Sequence, residues 1–214
     1  MDFIHPLANE YAAQYSNATP AYLKEVYEST LATHPNAHMQ SSWTQGGFLS
    51  LISKLLQPMH ILELGTFSGF SALCLAEGLV HDGQLHTLEL REQDGENAQN
   101  NINQSPHKDK IKIHVGDAGE TLQHLTAPWD IVFIDADKVN YAKYYQMIFP
   151  HVKTNGLIIV DNVLFHGEVF NESLKGKNAK AIHAFNEMIM SDQLAETILL
   201  TVRDGMLLIQ KNEL

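Results

Sequence analysis

One cysteine, Cys74, stands in a chain of 214 residues. An intrachain disulfide is therefore excluded, and such thiol usage fits a reducing, cytoplasmic setting. Long apolar runs are missing too: none approaches the roughly 20 residues of a membrane-spanning helix. The opening Met1-Asp2-Phe3-Ile4-His5-Pro6 has neither the basic nor the apolar region of a secretory signal. Positive charge is scarce, since 14 Lys and Arg against 25 Asp and Glu leave a formal charge of -11. Such a surface repels phosphate backbones, and no run of four basic residues offers a membrane contact. The expected partner is a small molecule, with no nucleic acid and no membrane. Fixed-period repeats and low-complexity segments are absent as well.

What is present is an ordinary globular composition, 44% hydrophobic, enough for the core of one domain over residues 1–214. Short apolar runs alternate with helical patterns. The predicted strands are His60–Leu64, Gln84–Leu90, Ile111–Val115, Trp129–Asp135, Gly156–Asp161, Glu196–Val202 and Met206–Gln210. Runs such as Ile131-Val132-Phe133-Ile134 and Leu157-Ile158-Ile159-Val160 suit strands covered on both faces, hence a parallel sheet. Helical spacing is found over Gly69–Gly78, Glu92–Gln104, Asn140–His151 and Asn178–Ser191. The alternation predicts a doubly wound, Rossmann-like α/β core over residues 59–214. Only Arg203-Asp204-Gly205 separates the last two strands, too little for a parallel crossover, so these form an antiparallel hairpin. Residues 1–58 form a helical leader, with helices over Pro20–Thr33 and Trp43–Leu56. It serves either as a lid on the ligand crevice or as packing at the sheet edge.

The first strand runs into Glu63-Leu64-Gly65-Thr66-Phe67-Ser68-Gly69-Phe70-Ser71. Gly65 permits a tight turn and Gly69 a close backbone approach. A dinucleotide fingerprint needs a middle glycine that this loop lacks. Glu63, facing the crevice, would repel a pyrophosphate and suit an ammonium or sulfonium. Glu89 ends the second strand where an acid accepts hydrogen bonds from a ribose diol. Gly116-Asp117-Ala118 ends the third, where an adenine edge can be held. An adenosine with a cation and no phosphate describes S-adenosylmethionine.

The fourth strand ends in Asp135-Ala136-Asp137-Lys138 and the fifth in Asp161-Asn162. Two carboxylates and an amide on neighbouring strand ends are hard oxygen ligands, suited to a divalent cation, Mg²⁺ first, with Mn²⁺ or Ca²⁺ as substitutes. Lys138 beside such a cation is expected to have a lowered pKa and to act as a general base. His34 and His38 have ligand spacing, but Pro35 between them argues against a regular helix. Cys74, Trp43, Trp129, Tyr141, Tyr144 and Tyr145 read as packing, and Gly167–Lys180 as a loop beside the substrate.

These motifs in this order resemble the metal-dependent class I O-methyltransferases of the caffeoyl-CoA O-methyltransferase type, with catechol O-methyltransferase a more distant relative. The carrying stretches are Met39-Gln40-Ser41-Ser42, Glu63–Ser71, Gly116-Asp117-Ala118, Phe133–Lys138 with Asn140-Tyr141, Val160–Asn162 and Arg203-Asp204-Gly205. The resemblance implies a seven-stranded sheet with an antiparallel last strand, and a homodimer. It implies cofactor contacts from Ser41, Glu63, Gly65, Thr66, Ser71, Glu89, Ala118, Asp135 and Asp137. It assigns the metal to Asp135, Asp161 and Asn162, and catalysis to Lys138 with Asp135. Phe165-His166 stand where the plant enzymes carry Trp-Asn at the substrate wall. His166 is thus a substrate residue, and a smaller catechol or free phenolic acid is the expected acceptor. Two other readings of the same fold are a nicotinamide-dependent oxidoreductase and a non-catalytic S-adenosylmethionine-binding module.

Overall fold

A computed structural model of the chain describes residues 4–16 and 20–213. Seven strands build one sheet: β1 (His60–Leu64), β2 (Gln84–Glu89), β3 (Ile111–Val115), β4 (Trp129–Ile134), β5 (Val152–Asp161), β6 (Ala195–Leu200) and β7 (Met206–Lys211). Their order is β3-β2-β1-β4-β5-β7-β6, with β1 to β5 parallel and β7 antiparallel to both of its neighbours. The chain winds outward from β1 to β3, then returns to β4 on the other side. The reversal between β1 and β4 is where open α/β sheets bind ligands, beyond the carboxyl ends of the strands. The doubly wound sheet expected from the sequence is the one observed.

Two strands differ from the expected extent by more than one residue at an end, and β2, β4 and β7 by a single residue. β5 begins at Val152 rather than Gly156, because Val152 pairs with Trp129 across a register shift between Trp129 and Ile131. The hairpin loop runs from Thr201 to Gly205, since β6 ends at Leu200. Arg203 (φ 51°) and Gly205 (φ 85°) turn the chain there in the left-handed region.

Helices cover both faces. α1 (Pro6–Gln14), α2 (Ala21–Thr33) and α3 (Trp43–Leu56) make up the leader. α3 starts in a capping box: Ser42 Oγ accepts from Gln45 N at 3.2 Å and Gln45 Oε1 accepts from Ser42 N at 2.9 Å. α4 (Phe70–Ala76), α5 (Glu92–Asn103), α6 (Ala118–Thr121), α7 (Tyr141–Ile148) and α8 (Lys177–Met190) follow. Side chains alternate along each strand. Ile61, Ile131 and Phe133 therefore meet Leu23, Leu49 and Phe70 on one face. Leu62, Val132 and Ile158 meet Tyr141, Ile148 and Phe185 on the other. Among the described residues no helix is long and apolar enough to cross a membrane. Cys74 is a fully buried thiol in α4.

One of the polar clusters that fasten the leader to the core centres on Glu77. Glu77, just after α4, accepts from Tyr22 Oη at 2.6 Å and lies 2.9 Å from His107 Nε2 and 3.2 Å from Lys54 Nζ. Burial pushes its carboxyl upward, but His107, Tyr22 and Lys54 outweigh that and bring it to about 2. A carboxylate depressed in the folded state stabilises above its ordinary range, and the contribution is lost as pH falls toward the folded value. Glu77→Ala is therefore expected to cost about 3 kcal/mol at neutral pH. Urea unfolding should show this deficit shrinking between pH 4.5 and pH 2.

Gly65 marks where the sheet becomes a site. Its φ is 101°, and a Cβ there would lie 2.1 Å from the carbonyl oxygen of Asp135. The ends of β1 and β4 touch through the missing side chain, which brings the glycine loop beside Asp135. Gly65→Ala combines an unfavourable φ with a backbone clash, and should cost about 3 kcal/mol or more. Thermal unfolding of the variant checks this.

Candidate active site

A cavity of about 670 Å³ opens over the carboxyl ends of β1, β2, β4 and β5. The structure brings nine of the residues singled out in the sequence to its wall: Gly65, Glu89, Ala118, Asp135, Asp137, Lys138, Asp161, Asn162 and His166. Ser41, Glu63, Thr66 and Ser71 do not line it; they are buried behind it. For Glu63 this differs from the expectation, and the pleat gives the reason. Glu63 shares a strand face with Ile61, toward α3 and α4, so its carboxylate lies under the loop rather than in the crevice. It accepts from Thr87 Oγ1 at 2.5 Å, while Oε1 has no hydrogen-bond partner among the described residues. Burial pushes its carboxyl up to about 8, against the pull of the Ser71 and Thr87 hydroxyls.

Glu89 is held by the backbone, accepting from Phe67 N at 2.8 Å and from Arg91 N at 2.9 Å. Its carboxylate thus ties the glycine loop to the start of α5. Gly116 (φ 140°) borders the same cavity, and a Cβ there would meet nothing within 4 Å. Asp117 caps α6 through Glu120 N at 3.0 Å. Leu88, Leu90, Met39 and Phe67 add apolar wall. This end offers flat apolar surface, bare backbone and one oriented carboxylate, with no cluster of basic groups for a pyrophosphate.

The other end is acidic. Asp135 Oδ1 lies 2.9 Å from Lys138 Nζ, which also donates to Tyr141 Oη at 2.7 Å. Tyr141 Oη in turn donates to the Asp161 carbonyl at 3.1 Å. Asp161, at the tip of β5, is buried. Burial, and then the neighbouring Asp135 carboxylate, push its carboxyl up to about 7, against the pull of Lys138. Asn162 is left-handed (φ 61°), a conformation asparagine tolerates, and its N–H donates to Asp161 Oδ1 at 2.8 Å. Asp137 accepts from Tyr144 Oη at 2.5 Å. Burial would lower the Lys138 pKa, but Asp135 and Tyr141 overcome it and hold the ammonium above the ordinary lysine range. The expected lowering is thus reversed while Asp135 is its direct partner.

Several site residues were not apparent in the sequence. Tyr141 reads there as packing, yet its hydroxyl joins Lys138 to β5. Gln45 and Arg203 reach the site from the leader and the hairpin. The leader contributes Ile4, Asn9, His38 and Met39 to the cavity wall. His34 does not line the cavity; it lies 3.1 Å from Asp94 and packs edge-on against the wall residue Phe67. At the outer rim, Phe165, His166 and Gly167 all have positive φ. His166 N donates to Asp204 Oδ1 at 2.6 Å. The loop beside it is shorter than expected because α8 begins at Lys177.

An open α/β sheet whose crevice joins an apolar wall bearing Glu89 to an acidic strand-end cluster has the frame of a ligand-binding enzyme core of the methyltransferase kind. Residues 13–212 match the O-methyltransferase family model. The chain is 34% identical over 160 residues to a catechol O-methyltransferase of Niastella koreensis, covering 73% of this chain and 72% of that one. It is 31% identical over 206 residues to a caffeoyl-CoA O-methyltransferase of Eucalyptus gunnii, covering 91% and 82%. The solved structure of an O-methyltransferase from Bacillus cereus, in complex with SAH, superposes with a TM-score of 0.88 at 29% identity, covering 96% and 97%. The chain belongs to the S-adenosylmethionine-dependent O-methyltransferase family.

Proposed function

We propose that this protein moves the methyl group of S-adenosylmethionine to one hydroxyl of a catechol-like or phenolic small molecule held by a divalent cation. The observation that carries the reading is the pairing of Asp135 and Asp161 on neighbouring strand ends in one cavity, with Lys138 2.9 Å from Asp135. Burial, and then the Asp135 carboxylate, push the Asp161 carboxyl up, which marks a place short of positive charge. Among the described residues no three His, Cys, Asp or Glu side chains converge as a metal-holding group. Asn162 lines the same cavity and its amide would be the third protein donor, an all-oxygen set that suits Mg²⁺, with Mn²⁺ or Ca²⁺ as substitutes. A cation held by these residues would supply Lewis-acid polarisation of the acceptor hydroxyl.

The chain's own residues do the rest. Gly65, Glu89, Gly116, Ala118 and Asp137 border the space for the adenosyl cosubstrate, with Glu89 toward its ribose. Glu63, Thr66, Ser41 and Ser71 support that wall from behind. Once Asp135 is engaged elsewhere and the Lys138 ammonium has released a proton to solvent, the free Nζ lone pair takes the acceptor's hydroxyl proton. The acceptor oxygen forms a bond to the methyl carbon as the carbon–sulfur bond breaks, leaving S-adenosylhomocysteine. An anion and a cation are neutralised together, so exclusion of water favours the transfer. His38 and Met39 place the leader over the cavity in the manner of a lid. His166 and Phe165 form the acceptor wall. The catechol and caffeoyl-CoA acceptors in the relatives' names support the chemical class. The acidic cavity and the charge of -11 favour a small acceptor over one carrying phosphates.

The same reading makes the protein a cytoplasmic homodimer of one-domain subunits. Exposed Ile198 and Leu199 on edge strand β6, and Leu7, Tyr11 and Tyr15 on α1, are apolar surface available for a second copy. Incubation with S-adenosylmethionine and a panel of catechols, monophenols and phenolic acids, read by mass spectrometry, tests the activity. Vicinal diols are expected to gain one methyl group and simple monophenols none. Equal methylation of both would remove the chelated-acceptor reading. Tight NADH binding without binding of S-adenosylmethionine would favour the oxidoreductase.

A further inference from the structure

Gln45 stands in the first turn of α3, yet it reaches the carboxylate at the tip of β5. Its Nε2 donates to Asp161 Oδ1 and Oδ2, both at 3.0 Å. Its Oε1 accepts from Ser42 N at 2.9 Å and from Arg203 Nη1 at 3.0 Å. No part of Gln45 is accessible to solvent. The amide can face only one way. Both groups at Oε1 are obligate donors, and an ionised carboxylate only accepts, so a flipped amide would oppose donor to donor and oxygen to oxygen.

The Asp161 carboxylate has roughly four lone-pair sites. Two accept from Gln45 and a third from Asn162 N. One remains, on Oδ2, and Asp161 borders the cavity. All of these hydrogen-bond partners are neutral, so none of them offsets the carboxylate charge. Arg203 extends the link, donating also to Gln40 O at 2.8 Å and His38 O at 3.1 Å. One guanidinium thus ties the cavity wall at His38 and Met39 to the amide that holds Asp161.

We propose that Gln45 is a positioning residue for Asp161. Its amide holds the carboxylate so that a single Oδ2 lone pair is left for a cation, and Arg203 holds the amide. This rests on the metal reading above. Ligand-orienting partners of this sort are typically worth about 10–100-fold in metal affinity.

The test is Mn²⁺ binding to the full chain, followed by electron paramagnetic resonance of the free ion, with S-adenosylhomocysteine binding and thermal unfolding measured alongside. Gln45→Met keeps the volume and removes both ends of the link. It is expected to weaken Mn²⁺ about 10–100-fold while S-adenosylhomocysteine binding holds. Arg203→Met should weaken Mn²⁺ less, and should add nothing in the Gln45→Met background, since the two act through one contact. Ser53→Ala removes another buried hydrogen bond of α3, to Leu75 O, and should lower stability without changing Mn²⁺ affinity. Wild-type Mn²⁺ affinity in Gln45→Met, or an equal loss in Ser53→Ala, overturns the proposal. If Gln45→Met does not fold, Arg203→Met decides alone: weakened Mn²⁺ supports the link and unchanged affinity overturns it. A wild-type chain that binds no Mn²⁺ instead overturns the metal reading, and this inference with it.

Discussion

Asp161→Ala is expected to lower kcat/KM for methyl transfer by about a thousandfold or more while leaving S-adenosylmethionine affinity nearly intact. Asp161 lies at the acidic end of the cavity, away from Glu89 at the end of β2 and Gly116 just after β3, so the proposed adenosyl wall does not depend on it. In the proposed reading it supplies one of two carboxylates for a cation whose Lewis-acid contribution would be several kcal/mol, and each 1.36 kcal/mol is about tenfold in rate. The substitution also leaves the Gln45 amide without its acceptor, which should cost about 1–3 kcal/mol of stability. The assay therefore belongs well below the variant's melting temperature. Steady-state kinetics with a calorimetric measure of cofactor binding separates the effects. Loss of cofactor binding in parallel with turnover would mean that Asp161 supports the adenosyl site instead.

Lys138→Met should act on turnover rather than on binding. Lys138 Nζ sits between Asp135 Oδ1 and Tyr141 Oη, within reach of the same cavity. General-base contributions run to about 10²–10⁴-fold, and a fall of that size in kcat is expected, with KM for the acceptor little changed. Burial disfavours the ammonium, but the Asp135 carboxylate dominates and keeps its pKa raised. Proton uptake by Lys138 thus requires Asp135 to be drawn to another cation. The pH–rate profile should accordingly lose one limb in Lys138→Met. Lys138→Arg keeps the charge beside Asp135 but not a base of suitable pKa, and should be nearly as slow. A profile unchanged from wild type would take Lys138 out of proton transfer.

Much of this site was legible because strand ends in a parallel sheet are brought together by topology alone. Once β4 and β5 were recognised as neighbours, Asp135 and Asp161-Asn162 had to share a rim. The antiparallel β7 followed from a connection too short to cross over. Glu63 shows where that reasoning stopped short. The pleat that places Leu62 and Leu64 on one face sends Glu63 to the other, so a strand-end acid need not face the crevice. Gln45 and Arg203 were not legible, because their contacts join residues 116 and 158 positions apart and rest on three elements packing at once. Tyr141 was half legible: its position in α7 is that of a core residue, and it is fully buried. Its contact with Lys138 is local, three residues away, and only the docking of α7 against β5 gives its hydroxyl the Asp161 carbonyl.

The most direct measurement is methyl transfer to a simple catechol by the wild-type chain before and after chelation. Treatment with EDTA should abolish product, and readdition of Mg²⁺ or Mn²⁺ should restore it. Methylation that continues undiminished in EDTA would contradict the role given to Asp135, Asp161 and Asn162.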